Sequence, residues 1–265
     1  MYVLDVASRP ERDPSDVVAE LRARFADEGR LAVVRRDQTL DRSDESAHTS
    51  VRLGDGRRRI ATDSRAPLTE TLDDLAREHD FALVVGFPDA AIPRLAVGDA
   101  DVADPLARAD GPSDLDVDAV LSALRETEPH ESLASLVATA KRSADEPFAG
   151  AIATFTGRVR AREDADDERT EALSFETYAD VAADRLADIR ADLEARDGVH
   201  DVLFHHRTGR IEAGEDIVFV VVLAGHRREA FRAVEDGIDR LKDEVPIFKK
   251  EVTVGDEFWR HERDD

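Results

Sequence analysis

Apolar residues along the chain fall into short blocks separated by charged stretches, and their spacing alternates between two periods. Residues 2–7 (YVLDVA) are almost continuously apolar and predict a buried strand. Residues 15–28 (SDVVAELRARFADE) carry the helical period and are followed by Gly29, and 31–35 (LAVVR) predict the next strand. The opening is therefore βαβ. Residues 37–50 are polar and loop-like, with short strands expected at 50–54 and 58–62. A helix at 68–79 leads into FALVVGF, 81–87, a further buried strand, after which Pro88 and Pro93 break the pattern. Residues 98–117 (GDADVADPLARADGPSDLDV) are acidic and rich in Gly, Pro and Asp, the composition of a linker. Two short amphipathic helices are expected near 117–127 and 132–143.

The pattern restarts at 149. GAIATFTGRVR (150–160) reads as a strand, 161–171 as a charged loop and ALSFETY (172–178) as a strand. A helix over 179–196 places Val181, Leu186, Ile189 and Leu193 on one face and stops at Gly198. VHDVLFHHR is a strand, EAGED a turn, and DIVFVVVLAG a central strand apolar enough to be covered on both faces. A helix over 227–244, closed by Pro246, puts Phe231, Val234, Ile238, Leu241 and Val245 on one stripe, and IFKKEVTV is the last strand. No internal repeat is present. The fold class is α/β, a βαβ domain over 1–98 and an α+β domain over 145–265, joined by an acidic linker (99–117) and connecting helices (118–144).

Charge narrows the function. Sixty acidic residues against 37 basic ones give a net charge of −23, spread along the whole chain. Such a field repels phosphate, which argues against nucleic acid or an anionic membrane as partner. The acid excess is that of a cytoplasmic protein adapted to high internal salt, where the Debye length shrinks to about 3 Å at 1 M. Cysteine is absent, which excludes disulfides, thiolate catalysis and zinc–thiolate sites. No apolar run approaches the ~18 residues of a membrane helix. Nearly every cation is arginine. The four lysines are Lys141, Lys242, Lys249 and Lys250, three of them within nine positions. Where arginine is the default, a lysine cluster marks positions at which a strictly permanent cation is unsuitable.

The first loop, Ser8 to Ser15, lies where a phosphate-binding loop would lie, between the first strand and the first helix. Ser8 and Asp13 occupy the glycine positions and Pro14 the lysine position; only Ser15 keeps a hydroxyl. Glu11, Asp13 and Asp16 bring negative charge to the place of a phosphate, and DPSD reads as a helix start, Asp13 capping and Pro14 in the first turn. The opening and the stretch 68–87 ending in ALVVGF resemble MobB-type proteins, P-loop NTPases linked to molybdenum-cofactor biosynthesis, with Val85 where that family carries an acid. The expectation for this domain is a P-loop-like scaffold that has lost nucleotide binding.

The second domain gathers cations. Arg158 and Arg160 are two apart on a strand and share a face, with Phe155 and Val159 on the other; paired guanidiniums suit an anion. His226 and Arg227 open a helix, whose N-terminal amides favour anions. Lys242 falls about 20° beyond the apolar stripe, a border where partial desolvation lowers a lysine's pKa. Lys249 and Lys250 alternate on the last strand, so at most one shares a pocket with Lys242, and Phe248 offers a ring for stacking. His205 and His206, adjacent on a strand, point apart and make a poor metal pair.

FTGRVR, LSFETY, HHRTGRIEAGEDIVFVVVLAGHRREAF, LKDEVPIFKKE and a terminal W-x-x-x-R, in that order over 145–265, resemble the catalytic large subunit of molybdopterin synthase, the MoaE family. The resemblance implies an α/β-hammerhead fold. It also implies a sulfurtransferase that converts cyclic pyranopterin monophosphate to the molybdopterin dithiolene. Sulfur comes as a thiocarboxylate on the C-terminal glycine of a ubiquitin-like MoaD carrier. The assembly implied is a homodimer inside a heterotetramer, each pocket borrowing residues across the dimer. Carried over by motif, Lys249 stands beside the carrier's terminal carbonyl and Lys242 is the second pocket lysine. Arg158, Val159, Arg160, Phe155, His226, Arg227, Lys250, Glu251 and the tail residue Arg263 line the substrate pocket. The resemblance calls for no cofactor and no metal. Two other readings stand beside it: a non-catalytic scaffold of the same pathway, and a MobB-like nucleotide-binding adaptor.

Overall fold

The computed structural model describes residues 1–36, 49–54, 57–62, 67–162, 164, 168–253 and 257–260. The chain forms two compact units, Met1–Glu131 and Ser132–Asp265.

The first unit contains β1 (Tyr2–Ala7), α1 (Ser15–Glu28), β2 (Leu31–Arg35), the hairpin of β3 (Thr49–Gly54) and β4 (Arg57–Thr62), α2 (Leu68–Ala76), β5 (Phe81–Val85), β6 (Arg94–Val97), β7 (Ala107–Ala109) and α3 (Val117–Arg125). Its sheet has the order β2-β5-β1-β6-β7, every pair parallel. One face buries Leu4, Val6, Leu83 and Leu95 against Val18, Leu21 and Phe25 of α1 and Leu121 and Leu124 of α3. The other buries Val3, Ala82 and Val84 against Leu72 and Ala76 of α2. Cover on both faces is why β1 and β5 are continuous apolar runs in sequence. Strand order reverses at β1, so the crevice at a topological switch point falls where the loop Ser8–Pro14 leaves β1.

The expected linker 99–117 is part of this unit. It contributes β7, which pairs with β6, and it buries Ala100, Val102 and Ala109. Arg108 donates to the carbonyls of Ala100 (3.3 Å) and Val102 (2.9 Å). Alanine and valine among aspartates have a linker's composition, but their backbone completes the sheet. Nor are the two short helices a connecting pair: α3 is part of the first unit, and the second unit opens just before the other helix.

The second unit contains α4 (Leu133–Ala140), β8 (Ala151–Arg158), β9 (Thr170–Thr177), α5 (Ala179–Glu194), β10 (Val199–His206), β11 (Gly209–Glu212), β12 (Asp216–Ala224), α6 (Arg227–Glu244), β13 (Ile247–Thr253) and β14 (Glu257–Arg260). Two antiparallel sheets form, β10-β12-β8 and β11-β9-β13-β14. On the first sheet α4 covers Phe219, Val221 and Leu223, while α5 and α6 cover Val202, Val220 and Val222. The second sheet closes a smaller core of Val159, Leu173, Phe175 and Ile211.

Two helix faces differ from expectation. Helix α6 buries Ala230, Ala233, Val234, Gly237, Ile238 and Leu241, and leaves Phe231 65% exposed. The buried stripe is centred on small residues because the helix packs closely: a Cβ on Gly237 would stand 3.3 Å from Phe204 and 3.4 Å from Leu193. Helix α5 likewise turns Val181 outward, 49% exposed, and buries Ala182, Ile189 and Leu193.

Candidate functional site

The corner between α6 and β13 is tightly tied. Val245 N donates to Leu241 O at 3.2 Å, and Ile247 N to Val245 O at 2.8 Å. Thr177 Oγ1 on β9 donates to Pro246 O at 3.2 Å. From this corner β13 runs antiparallel to β9 with Lys249 opposite Phe175 and Lys250 opposite Ser174. Directly paired residues share a face, so Lys249 lies with Ile247 and the buried Phe175, on the side of the small core. Lys250 and Phe248 take the other face, where the exposed Phe248 ring meets the exposed Tyr178 ring edge-on at 5.6 Å. Both lysines are half-buried. Lys242 is exposed, not at a desolvated border, because Leu241 takes the buried slot of that turn. Glu251 stands opposite Leu173 in the backbone register, and Arg263 lies outside the described residues.

A second aromatic contact reaches β9, the strand paired with Lys249's, from the other sheet. His206 ends β10, and its ring meets Phe175 edge-on at 5.1 Å, the planes 78° apart. Burial lowers the His206 pKa to about 4, so the imidazole is neutral near pH 7. His205 points the other way and stacks on Phe219 at 6.3 Å.

The arginine pair is divided. Arg158 ends β8 opposite Asp216, where Nε donates to Asp216 Oδ1 at 3.0 Å and Nη2 to the Gly214 carbonyl. Arg207 Nη1 donates to Asp216 O at 3.0 Å, so two guanidiniums converge on one turn. Arg160, beyond the strand, is exposed. Val159 between them is 2% exposed within the small core, which makes it a packing residue and not a substrate contact. Phe155 is half-buried and packs into the core beneath α6.

His226 and Arg227 are exposed at the N-terminus of α6. Arg227 and Lys242 stand fifteen residues apart on that helix, about 22 Å at 1.5 Å per residue. Within one copy Lys242 therefore lies in the last turn of α6, beside the corner that leads to Lys249, while His226 and Arg227 lie at the other end of that helix.

The family model described as MoaE protein matches residues 127–244. A probable molybdopterin synthase of Haloferax volcanii is 57% identical over 192 residues, which covers 72% of this chain and 74% of that protein. The chain belongs to the molybdopterin synthase family. The matched length exceeds that of the second unit, so the likeness to the Haloferax protein extends into the first. Among solved structures, molybdopterin synthase from Staphylococcus aureus is 33% identical and covers 43% of this chain and 82% of its own, with a TM-score of 0.41. Bacillus subtilis MobB, 17% identical, covers 47% of this chain and 98% of its own, with a TM-score of 0.37.

In this molybdopterin synthase family member, three residues receive no role from the sequence: Phe175 and His206 beside Lys249's strand pair, and Asp216 against Arg158. Of these, only His206 is weighed there, as half of a poor metal pair with His205. Each of the three takes its place through a partner on another strand.

Exposed side chains of the switch-point loop are bonded within the first unit. The Arg12 guanidinium lies against Gly98 and donates to Asp110 O. Arg9 Nε donates to Asp99 O at 3.2 Å. Asp13 accepts from both Ser15 N (3.0 Å) and Ser15 Oγ (2.6 Å), and these bonds hold its pKa below the usual carboxylate value. Helix α1 starts at Ser15, one residue later than Asp13 as cap would place it.

Beneath this loop Asp5 is 1% exposed. Its Oδ2 pairs with Arg94 Nε at 3.3 Å, and among the described residues Oδ1 has no hydrogen-bond partner. Arg94 also donates to Ala90 O at 2.7 Å and to Pro88 O. Burial pushes the Asp5 carboxyl up to about 6, against the opposing pull of Arg94. The folded state thus holds the proton more tightly than the unfolded state, and Asp5's contribution to stability falls as pH rises between about 4 and about 6. Lowering the pH from 7 to 5 is expected to stabilise the parent protein by about 1 kcal/mol more than an Asp5→Asn variant. Urea unfolding at both pH values checks this; equal pH slopes for the two proteins would refute it.

Proposed function

We propose that the second unit transfers sulfur from the thiocarboxylated C-terminal glycine of a MoaD-like, ubiquitin-like carrier to cyclic pyranopterin monophosphate, forming the molybdopterin dithiolene. The observation that carries this reading is Lys249 on the inner face of β13, held in register with buried Phe175. There a lysine sits at the edge of the small core, and lysine is the cationic side chain suited to general acid–base catalysis where arginine stays charged. Lys242 at the same corner adds positive charge for the thiocarboxylate, and Arg160 with Arg158 supplies it for the substrate phosphate.

The active assembly is a homodimer within a heterotetramer, in which His226 and Arg227 reach the pocket from a second copy; their separation from Lys242 along α6 supports this. The chain acts in a cytoplasm of high salt, where seating of the carrier's tail counts for more than long-range steering. The first unit is a scaffold that binds no nucleotide, supported by the bonds that tie Arg12 to Asp110 and Asp13 to Ser15.

Purified chain mixed with the pterin precursor and thiocarboxylated carrier is expected to form molybdopterin at a rate indifferent to added GTP. No product from a chain that binds the carrier would favour the non-catalytic scaffold, and GTP dependence would favour the nucleotide-binding adaptor.

A further inference from the structure

We propose that His206 is a positioning residue for Lys249, acting through Phe175 across the junction of the two sheets. The inference rests on Lys249 as the reacting amine.

Three placements carry it. Lys249 and Phe175 are a direct cross-strand pair, so their Cβ atoms stand about 5 Å apart on one face, close enough for the ring to bound the space open to the lysine stem. Phe175 is buried, and its ring is approached edge-on by His206 at 5.1 Å, the arrangement aromatic rings prefer over a face-to-face sandwich. His206 is itself fixed, because β10 is locked to β12 through the pair His206–Val218 and the next residue, Arg207, donates its amide to Ile217 O at 2.8 Å. The two sheets do not share a strand. This ring contact joins the edge of the three-stranded sheet to the strand that bears Lys249's neighbour.

The chemistry suits a histidine that stays uncharged. A neutral imidazole presents an aromatic edge to Phe175 without adding a second cation beside the lysine, and burial keeps it neutral. Replacing it with a smaller side chain leaves Phe175 free to tilt, and Lys249 loses the wall that aims its stem. A displacement of about 1 Å at a reacting group costs up to roughly 100-fold in rate. The loss should fall on kcat, because the contact aims the reacting amine and itself supplies no group assigned to the carrier or the pterin phosphate.

The test uses the full chain in the conversion assay, with folded protein quantified by circular dichroism and Tm. His206→Ala and Phe175→Leu are each expected to lower kcat per folded molecule by about 10- to 100-fold with the KM for the carrier unchanged, and His206→Phe to regain most of that loss. The proposal is overturned by a kcat within twofold of the parent in Phe175→Leu, by a change confined to KM, or by failure of His206→Phe to restore the rate. Lys249→Ala separates the two levels. If that variant stays active, the reading of Lys249 fails. If it is inactive while His206→Ala and Phe175→Leu turn over normally, the positioning role alone fails.

Discussion

Lys249→Ala is expected to lower molybdopterin formation by at least about 100-fold, the scale of a lost proton-transfer group, while the chain keeps its fold. The fold survives because Lys249 is half-buried at the rim of the small core, whose filling comes from Val159, Leu173, Phe175 and Ile211. The register of β13 is set by its ladder to β9 and by the Thr177–Pro246 bond, neither of which needs the ammonium. Lys249→Arg is the sharper variant. It keeps the charge and much of the stem, yet guanidinium holds its proton at any working pH. If the position serves only to attract an anion, Lys249→Arg retains most of the rate; if the amine moves a proton, it is nearly as inactive as alanine. Product formed per folded molecule, with Tm as the control, decides between them. A parent-like rate in Lys249→Ala refutes the assignment altogether.

The parts of the fold that were legible in sequence are those whose environment is uniform. Strands β1, β5 and β12 are covered on both faces, so each is an apolar run that needs no knowledge of its partner. Strand β7 has three residues, Ala107–Ala109, within an acidic stretch, and only its pairing to β6 makes it a strand. The face of α6 was misplaced because hydrophobicity ranks Phe231 above Ala230, Ala233 and Gly237, whereas close approach to Phe204 and Leu193 selects the small residues. The same distinction holds in the candidate site. Alternation along IFKKE places Lys249 and Lys250 on opposite faces without any tertiary information, and the register to Phe175 and Ser174 agrees. Arg158 and Arg160 read as a matched pair by the same rule, but β8 ends at Arg158, and its ladder with β12 shifts register between Asp216 and Val218. That irregularity delivers Asp216 to Arg158 across 58 positions of sequence, a pairing no local pattern announces.

Mixing two inactive variants is expected to restore activity. Arg227→Ala and Lys249→Ala each remove one side of the proposed pocket. In a single copy Arg227 stands about 22 Å along α6 from Lys242, the lysine at the corner where β13 begins. A pocket that uses both therefore takes them from different copies. When the two variants are unfolded together and refolded as a mixture, half of the dimers are mixed. Each mixed dimer holds one pocket with both residues intact and one with neither. About a quarter of all pockets are then competent, and the mixture should recover about a quarter of the parent rate from components that are each nearly inactive. Exchange is essential, since mixing stable dimers without refolding leaves every pocket defective. A refolded mixture no more active than its components would show that Arg227 and Lys249 serve within one copy or that Arg227 is outside the site. The two outcomes separate on Arg227→Ala alone: a parent-like rate in that variant removes it from the pocket, and a low rate without complementation confines the pocket to one chain.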